Sequence, residues 1–96
     1  MAKKAKSEPE NIGSLIKAYR EKAGMTQKTL SEMLGYENPQ FVSLIENGHS
    51  KAPLNVLGRV IEALKIPEKK IVDVLLAAYQ KEIMAEINTS SKRLIS

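Results

Sequence analysis

The sequence predicts an all-α fold of five helices. Apolar residues make up 43% of the chain but aromatic ones only 4%, so Leu, Ile, Val and Ala carry the load, a balance suited to helices packed on helices. Apolar positions recur at spacings of three and four, Gly or Pro marks each change of segment, and no alternating strand pattern develops. The 96 residues leave room for one core.

Residues 1–10, with Lys3, Lys4 and Lys6 followed by Ser7, Glu8 and Pro9, lack apolar periodicity and read as a flexible basic arm. From Asn11 a first helix is marked by Ile12, Leu15, Ile16, Tyr19 and Ala23, and Gly24 supplies a left-handed stop. Thr26 caps a second, short helix with Leu30, Met33 and Leu34 facing inward, ended by Gly35. Asn38 as N-cap and Pro39 as the first helical residue open a third, which closes at Gly48 and has Val42 and Ile45 as its core pair. Pro53 opens a fourth helix striped by Leu57, Val60, Ile61 and Leu64. Pro67 opens a fifth running to about Ile87, after which Asn88, Thr89, Ser90 and Ser91 read as a frayed end. The expected organisation is an arm over 1–10, a domain over 11–66 and a C-terminal helix with a frayed tail over 67–96.

Composition excludes several classes of function. Without cysteine there are no disulfides, iron–sulfur clusters, thiolate catalysis or cysteine-bound zinc, which is compatible with the reducing cytoplasm. No apolar run approaches the ~20 residues that span a bilayer, and the first ten residues lack the apolar stretch of a signal peptide, so no membrane partner is expected. His49 is the single histidine and has no second metal ligand at a useful spacing, so no metal is expected. With no Ser/His/Asp grouping and no glycine-rich phosphate loop, neither enzyme nor cofactor is expected. The net charge of +4 favours a polyanionic partner.

Two short helices, Thr26 to Leu34 and Asn38 to Asn47, joined by a turn containing Gly35, make the unit that inserts its second helix in a DNA major groove. A helix with its side chains fits that groove, which is ~12 Å wide. The runs Ala23-Gly24-Met25-Thr26-Gln27, Leu30-Ser31-Glu32-Met33-Leu34-Gly35 and Val42-Ser43-Leu44-Ile45-Glu46-Asn47-Gly48, followed by Pro53 through Ala63-Leu64, resemble the lambda-repressor-like, xenobiotic-response-element family of helix-turn-helix proteins, the group of the phage repressors and Cro. The likeness covers roughly residues 12–66. The turn into the third helix is one residue longer than the usual pattern, and Ser31 stands where alanine is common.

The resemblance implies a sequence-specific regulator of transcription, a repressor that occludes a promoter, bound to double-stranded DNA at the nucleoid. It implies a phosphate contact for Gln27, aided by the amides of its helix start, and base-edge reading for Gln40, whose amide can bond adenine bidentately. Asn38 divides between capping Gln40 or Phe41 amides and reading a base. On the third helix Phe41, Ser43 and Leu44 complete the candidate face, Phe41 and Leu44 being placed to touch thymine methyls, unless Phe41 covers the turn beside Tyr36. Asn47, Ser50 and Lys51 lie in the stretch that follows the DNA backbone in this family, with His49 between them. Arg20 and Glu46 match positions that form a structural ion pair, and the lysine arm could wrap the duplex.

In the fifth helix, Ile71, Leu75 and Ala78 suffice to cover the domain, leaving Val72, Leu76, Tyr79, Ile83 and Ile87 as a second apolar stripe. This predicts a symmetric homodimer on a palindromic operator. The stripe could instead fold back over its own domain, or grip a toxin. The second functional reading is accordingly an antitoxin that also represses its own operon.

Overall fold

The computed structural model describes residues 11–95, with side chains as far as Lys92. The arm expected over 1–10 lies outside the described residues. Among these residues the chain forms five helices and no strand: α1 (Ile12–Lys22), α2 (Gln27–Met33), α3 (Gln40–Glu46), α4 (Leu54–Leu64) and α5 (Glu68–Ile95).

Local chemistry sets most of the boundaries. Asn11 is extended, and its Oδ1 accepts the Ser14 N–H at 2.9 Å; Thr26 Oγ1 accepts the Thr29 N–H at 3.0 Å. Each satisfies an orphan donor of the first turn. Gly24, Gly35 and Gly48, at φ 72°, 94° and 79°, close the first three helices in the left-handed region. The same job after α4 falls to Lys65, at φ 57°.

The core gathers Leu15 and Ile16 of α1, Leu30 and Leu34 around α2, Val42 and Ile45 of α3, Val56, Leu57, Val60 and Leu64 of α4, and then Ile66 and Ile71. Met33, expected inside, is about half exposed, because the row facing the core runs Leu30, Ser31, Leu34 and a side chain at 33 lies off it. Ile61 and Ala63 sit half-buried at the core's edge.

Two features of α5 differ from expectation. The helix runs to Ile95 instead of ending near Ile87 and carries Asn88 to Ser91 in helical form; the Thr89 hydroxyl donates to the Ala85 carbonyl at 3.0 Å, so the polar run bonds along the helix. The domain is covered by Ile71, with Val74 and Leu75 half-buried, whereas Ala78 is exposed; Val74 takes its expected place because α5 leaves the domain before a further turn can pack.

A close approach locks α1 against the end of α3. Gly13 is buried, and a Cβ built there would run into the carbonyl oxygen of Ile45 and lie 2.8 Å from that of Glu46. Backbone oxygens cannot step aside as a flexible side chain would. Gly13→Ala is therefore expected to lower stability by about 2 kcal/mol, within the range for overpacking. An unchanged midpoint in chemical denaturation would show that the crossing is looser than this geometry implies.

Ser31, fully buried in α2, presents a hydroxyl with no hydrogen-bond partner. Since an unsatisfied buried hydroxyl costs free energy that a methyl group does not, Ser31→Ala is expected to raise stability by about 1 kcal/mol. The same denaturation experiment checks it, and a destabilised variant would mean the hydroxyl has a partner after all.

Candidate nucleic-acid interface

The inner side of α3 determines what its outer side can present. Val42, Ile45 and Glu46 are buried against α1 and α2, and Phe41 leaves this face to stack on Tyr36, with ring centroids 3.8 Å apart and planes 15° apart. Phe41 thus covers the long turn, and it remains only half-buried. Gln40, Ser43, Leu44 and Asn47, at spacings of three and four, share the opposite face. Gln40 and Asn47 are exposed there, while Ser43 and Leu44 are half-buried.

The turn leading into α3 is closed locally. Asn38 Oδ1 accepts the Gln40 N–H at 2.8 Å, and Pro39, at φ −66° and ψ −14°, already has helical geometry. The Asn38 carboxamide oxygen is therefore engaged in capping, and its nitrogen remains as a donor.

The last residue of α3 is fixed from below. Glu46, with a side chain only 1% exposed, receives Arg20 Nε on Oε2 at 2.7 Å and Arg20 Nη2 on Oε1 at 3.1 Å. The remaining guanidinium nitrogen, Nη1, donates to the Met25 carbonyl at 2.7 Å, tying in the turn before α2. Gln27 Nε2, from the first position of α2, adds a third donor to the Glu46 carboxylate, on Oε1 at 3.0 Å. Sequence reasoning pairs Arg20 with Glu46 but misses this Gln27 bond, which no periodicity signals. An amide nitrogen has two hydrogens, so Gln27 keeps one for an outside acceptor.

Beyond α3 the chain folds back on itself, the N–H groups of His49 and Ser50 both donating to the Leu44 carbonyl at 2.8 and 3.2 Å. This holds Ser50 and Lys51 exposed beside the open face of α3. Asn47 Nδ2 lies 3.4 Å from Ser43 Oγ, a long bond along the helix. Lys51 Nζ meets Glu82 Oε2 of α5 at 3.3 Å, an exposed pair that the sequence did not announce. Val72, Leu76, Tyr79, Ile83 and Ile87 form an exposed apolar row on α5.

No group of acidic, histidine or cysteine side chains suited to holding a metal occurs among the described residues, and no described helix is long and apolar enough to cross a membrane.

Residues 16–71 match the helix-turn-helix family model, a span of more than half of the chain that begins within α1 and ends as α5 opens. The chain belongs to this lambda-repressor-like family and is a helix-turn-helix DNA-binding regulator. No curated protein and no solved structure matches it.

Arg20 is held as the charged form: the hydrogen bond to Glu46 leads in raising its pKa, the charges of Glu46 and Glu21 add to this, and partial burial opposes it. A raised pKa contributes stability that is complete below the unfolded value and lost only above it, so raising the pH to about 10 leaves this contribution intact. Removing the guanidinium strands a buried carboxylate, and Arg20→Ala is expected to cost about 3 kcal/mol or more. Thermal melting followed by circular dichroism measures this. A variant with unaltered melting but lost DNA binding would instead place Arg20 at the interface.

Proposed function

We propose that this chain is a sequence-specific transcriptional repressor that reads the major groove of double-stranded DNA with the open face of α3 and acts by occluding a promoter at the nucleoid. The observation that carries this reading is the division of α3: Gln40, Ser43, Leu44 and Asn47 face outward from a helix whose inner face is locked by Val42, Ile45 and the Arg20–Glu46 pair. A reading head is useful only if its side chains are presented at fixed positions, and backbone position is what that pair constrains. In this reading Gln40 bonds a base edge, Leu44 touches a thymine methyl, and Ser43 and Asn47 border the groove. Gln27, Ser50 and Lys51 meet phosphates, Asn38 contributes its free amide nitrogen beside the turn, and Phe41 supports the turn from its stack on Tyr36.

The antitoxin reading is favoured by one observation, the exposed apolar row of α5, which could receive a toxin while the same domain represses the operon. A toxin co-purifying with the chain in stoichiometric amount would select it.

Base reading and phosphate contact are separable in one titration series. Gln40→Ala is expected to cost about 1–3 kcal/mol on the preferred site and little on random DNA. Lys51→Ala should weaken all sequences alike and reduce the salt slope by about one unit. Equal losses on both kinds of DNA for Gln40→Ala would remove it from base reading, and an unchanged slope would remove Lys51 from phosphate contact. Selection from a random DNA pool supplies the site, and failure to enrich any sequence would reject the sequence-specific reading itself.

A further inference from the structure

One side of α5 starts in the core and ends on a charge. Ile71, Leu75, Ala78 and Glu82 follow at steps of four, three and four, and so share a face of the helix. Ile71 is buried, Leu75 half-buried and Ala78 exposed, so apolar packing gives out along this face. Glu82, about 16 Å beyond Ile71, nevertheless reaches back to the domain. What it meets is Lys51, with Nζ 3.3 Å from Oε2 across thirty-one positions of sequence.

Lys51 is the only Lys or Arg between Gln40 and Arg59, a stretch that includes all of α3 and the fold-back after it. Glu46, within the same stretch, is already matched by Arg20. The positive charge that this stretch can offer an anion is therefore one ammonium, and α5 sets a carboxylate on it. An ammonium is a point charge with three hydrogens, and carboxylate and phosphate present it with the same kind of anionic oxygen. The two acceptors compete for one group. The side chains are open to water, 87% for Lys51 and 58% for Glu82, so the pair is weak and DNA, with its dense row of charge, displaces the carboxylate. Glu82 is carried by a helix whose Ile71 is seated in the core, so its carboxylate can turn aside but stays near the phosphate that displaced it.

We propose that Glu82 is a competing anion built into α5: it holds Lys51 in the free protein, releases it to a phosphate when DNA binds, and sets affinity below what the reading surface alone would reach. The proposal rests on the reading of Lys51 as a phosphate contact. Because phosphates are alike in every sequence, Glu82 lowers affinity on all duplexes equally and leaves discrimination to α3. The counterion balance changes too. Lys51 frees about 0.9 of a cation from its phosphate, and the carboxylate it leaves takes part of one back. Salt dependence is therefore shallower than Lys51 alone would make it.

The full chain and a duplex of random sequence suffice for the test, so no operator has to be known. Fluorescence anisotropy titrations over a range of salt compare the unaltered chain with Glu82→Gln, Lys51→Ala and the double variant. Glu82→Gln keeps the size of the side chain and removes its charge. It should bind about two- to five-fold more tightly at low salt, the range that an exposed pair supplies, with a steeper salt slope and an unchanged melting curve. With Lys51→Ala already present, most of that gain should vanish. Glu86→Gln, the same change of charge one turn further along, should give only the smaller gain that general repulsion supplies. If Lys51→Ala weakens binding and Glu82→Gln changes nothing, the competition is overturned while Lys51 remains a phosphate contact. A gain that is as large without Lys51, or is matched by Glu86→Gln, overturns it as well, because the carboxylate then acts through the overall field. If Lys51→Ala leaves the salt slope unaltered, the competition and the phosphate reading beneath it fall together.

Discussion

Glu46 has almost no access to water, and the position of α3 follows from how its charge is met. A buried carboxylate is tolerated only when its acceptor sites are filled. Here Arg20 fills them in a two-pronged bond and Gln27 adds a third donor, so α1, the start of α2 and the end of α3 converge on one group. Gly13 makes this geometry attainable, because without a side chain there α1 can approach the last carbonyls of α3. The polar lock and the missing methyl group are therefore parts of the same constraint.

That constraint acts on one end of α3. The other end is governed by local chemistry: the Asn38 cap, the preset geometry of Pro39 and the Tyr36–Phe41 stack. A seven-residue helix is too short to hold itself, so fixing both termini is what gives α3 a defined position. The turn ahead of α3 is closed by that cap, and Val42 and Ile45 point inward.

What could be read in the sequence is what depends on near neighbours. Thr26 as a cap, glycines closing the first three helices, and the row Leu57, Val60, Leu64 all follow from residues within a turn or two of one another. What could not be read depends on distant partners. Gly13 is an unremarkable glycine until Ile45 is brought against it, the Gln27 bond to Glu46 spans nineteen positions, and Glu82 meets Lys51 across thirty-one. Met33 was expected inside on hydrophobicity, while helix geometry puts Ser31 there instead. At the candidate site Gln40, Ser43, Leu44 and Asn47 fell on one face as their spacing required, and Phe41 did not. The division of Asn38 and Phe41 between structural and recognition roles turned on which backbone N–H and which ring lay beside them.

The connection between α4 and α5 has few ways to bend. Lys65 occupies the left-handed region at some cost for a residue with a side chain, Ile66 is sealed in the core, and Pro67 has a fixed φ. No flexible tether separates the reading domain from the projecting helix. The helix is therefore a rigid arm whose heading is set by the domain, and a slight change of angle at this joint would be magnified at its far end. Such an arm imposes a ruler on whatever grips it, holding it at one distance and one rotation from the domain.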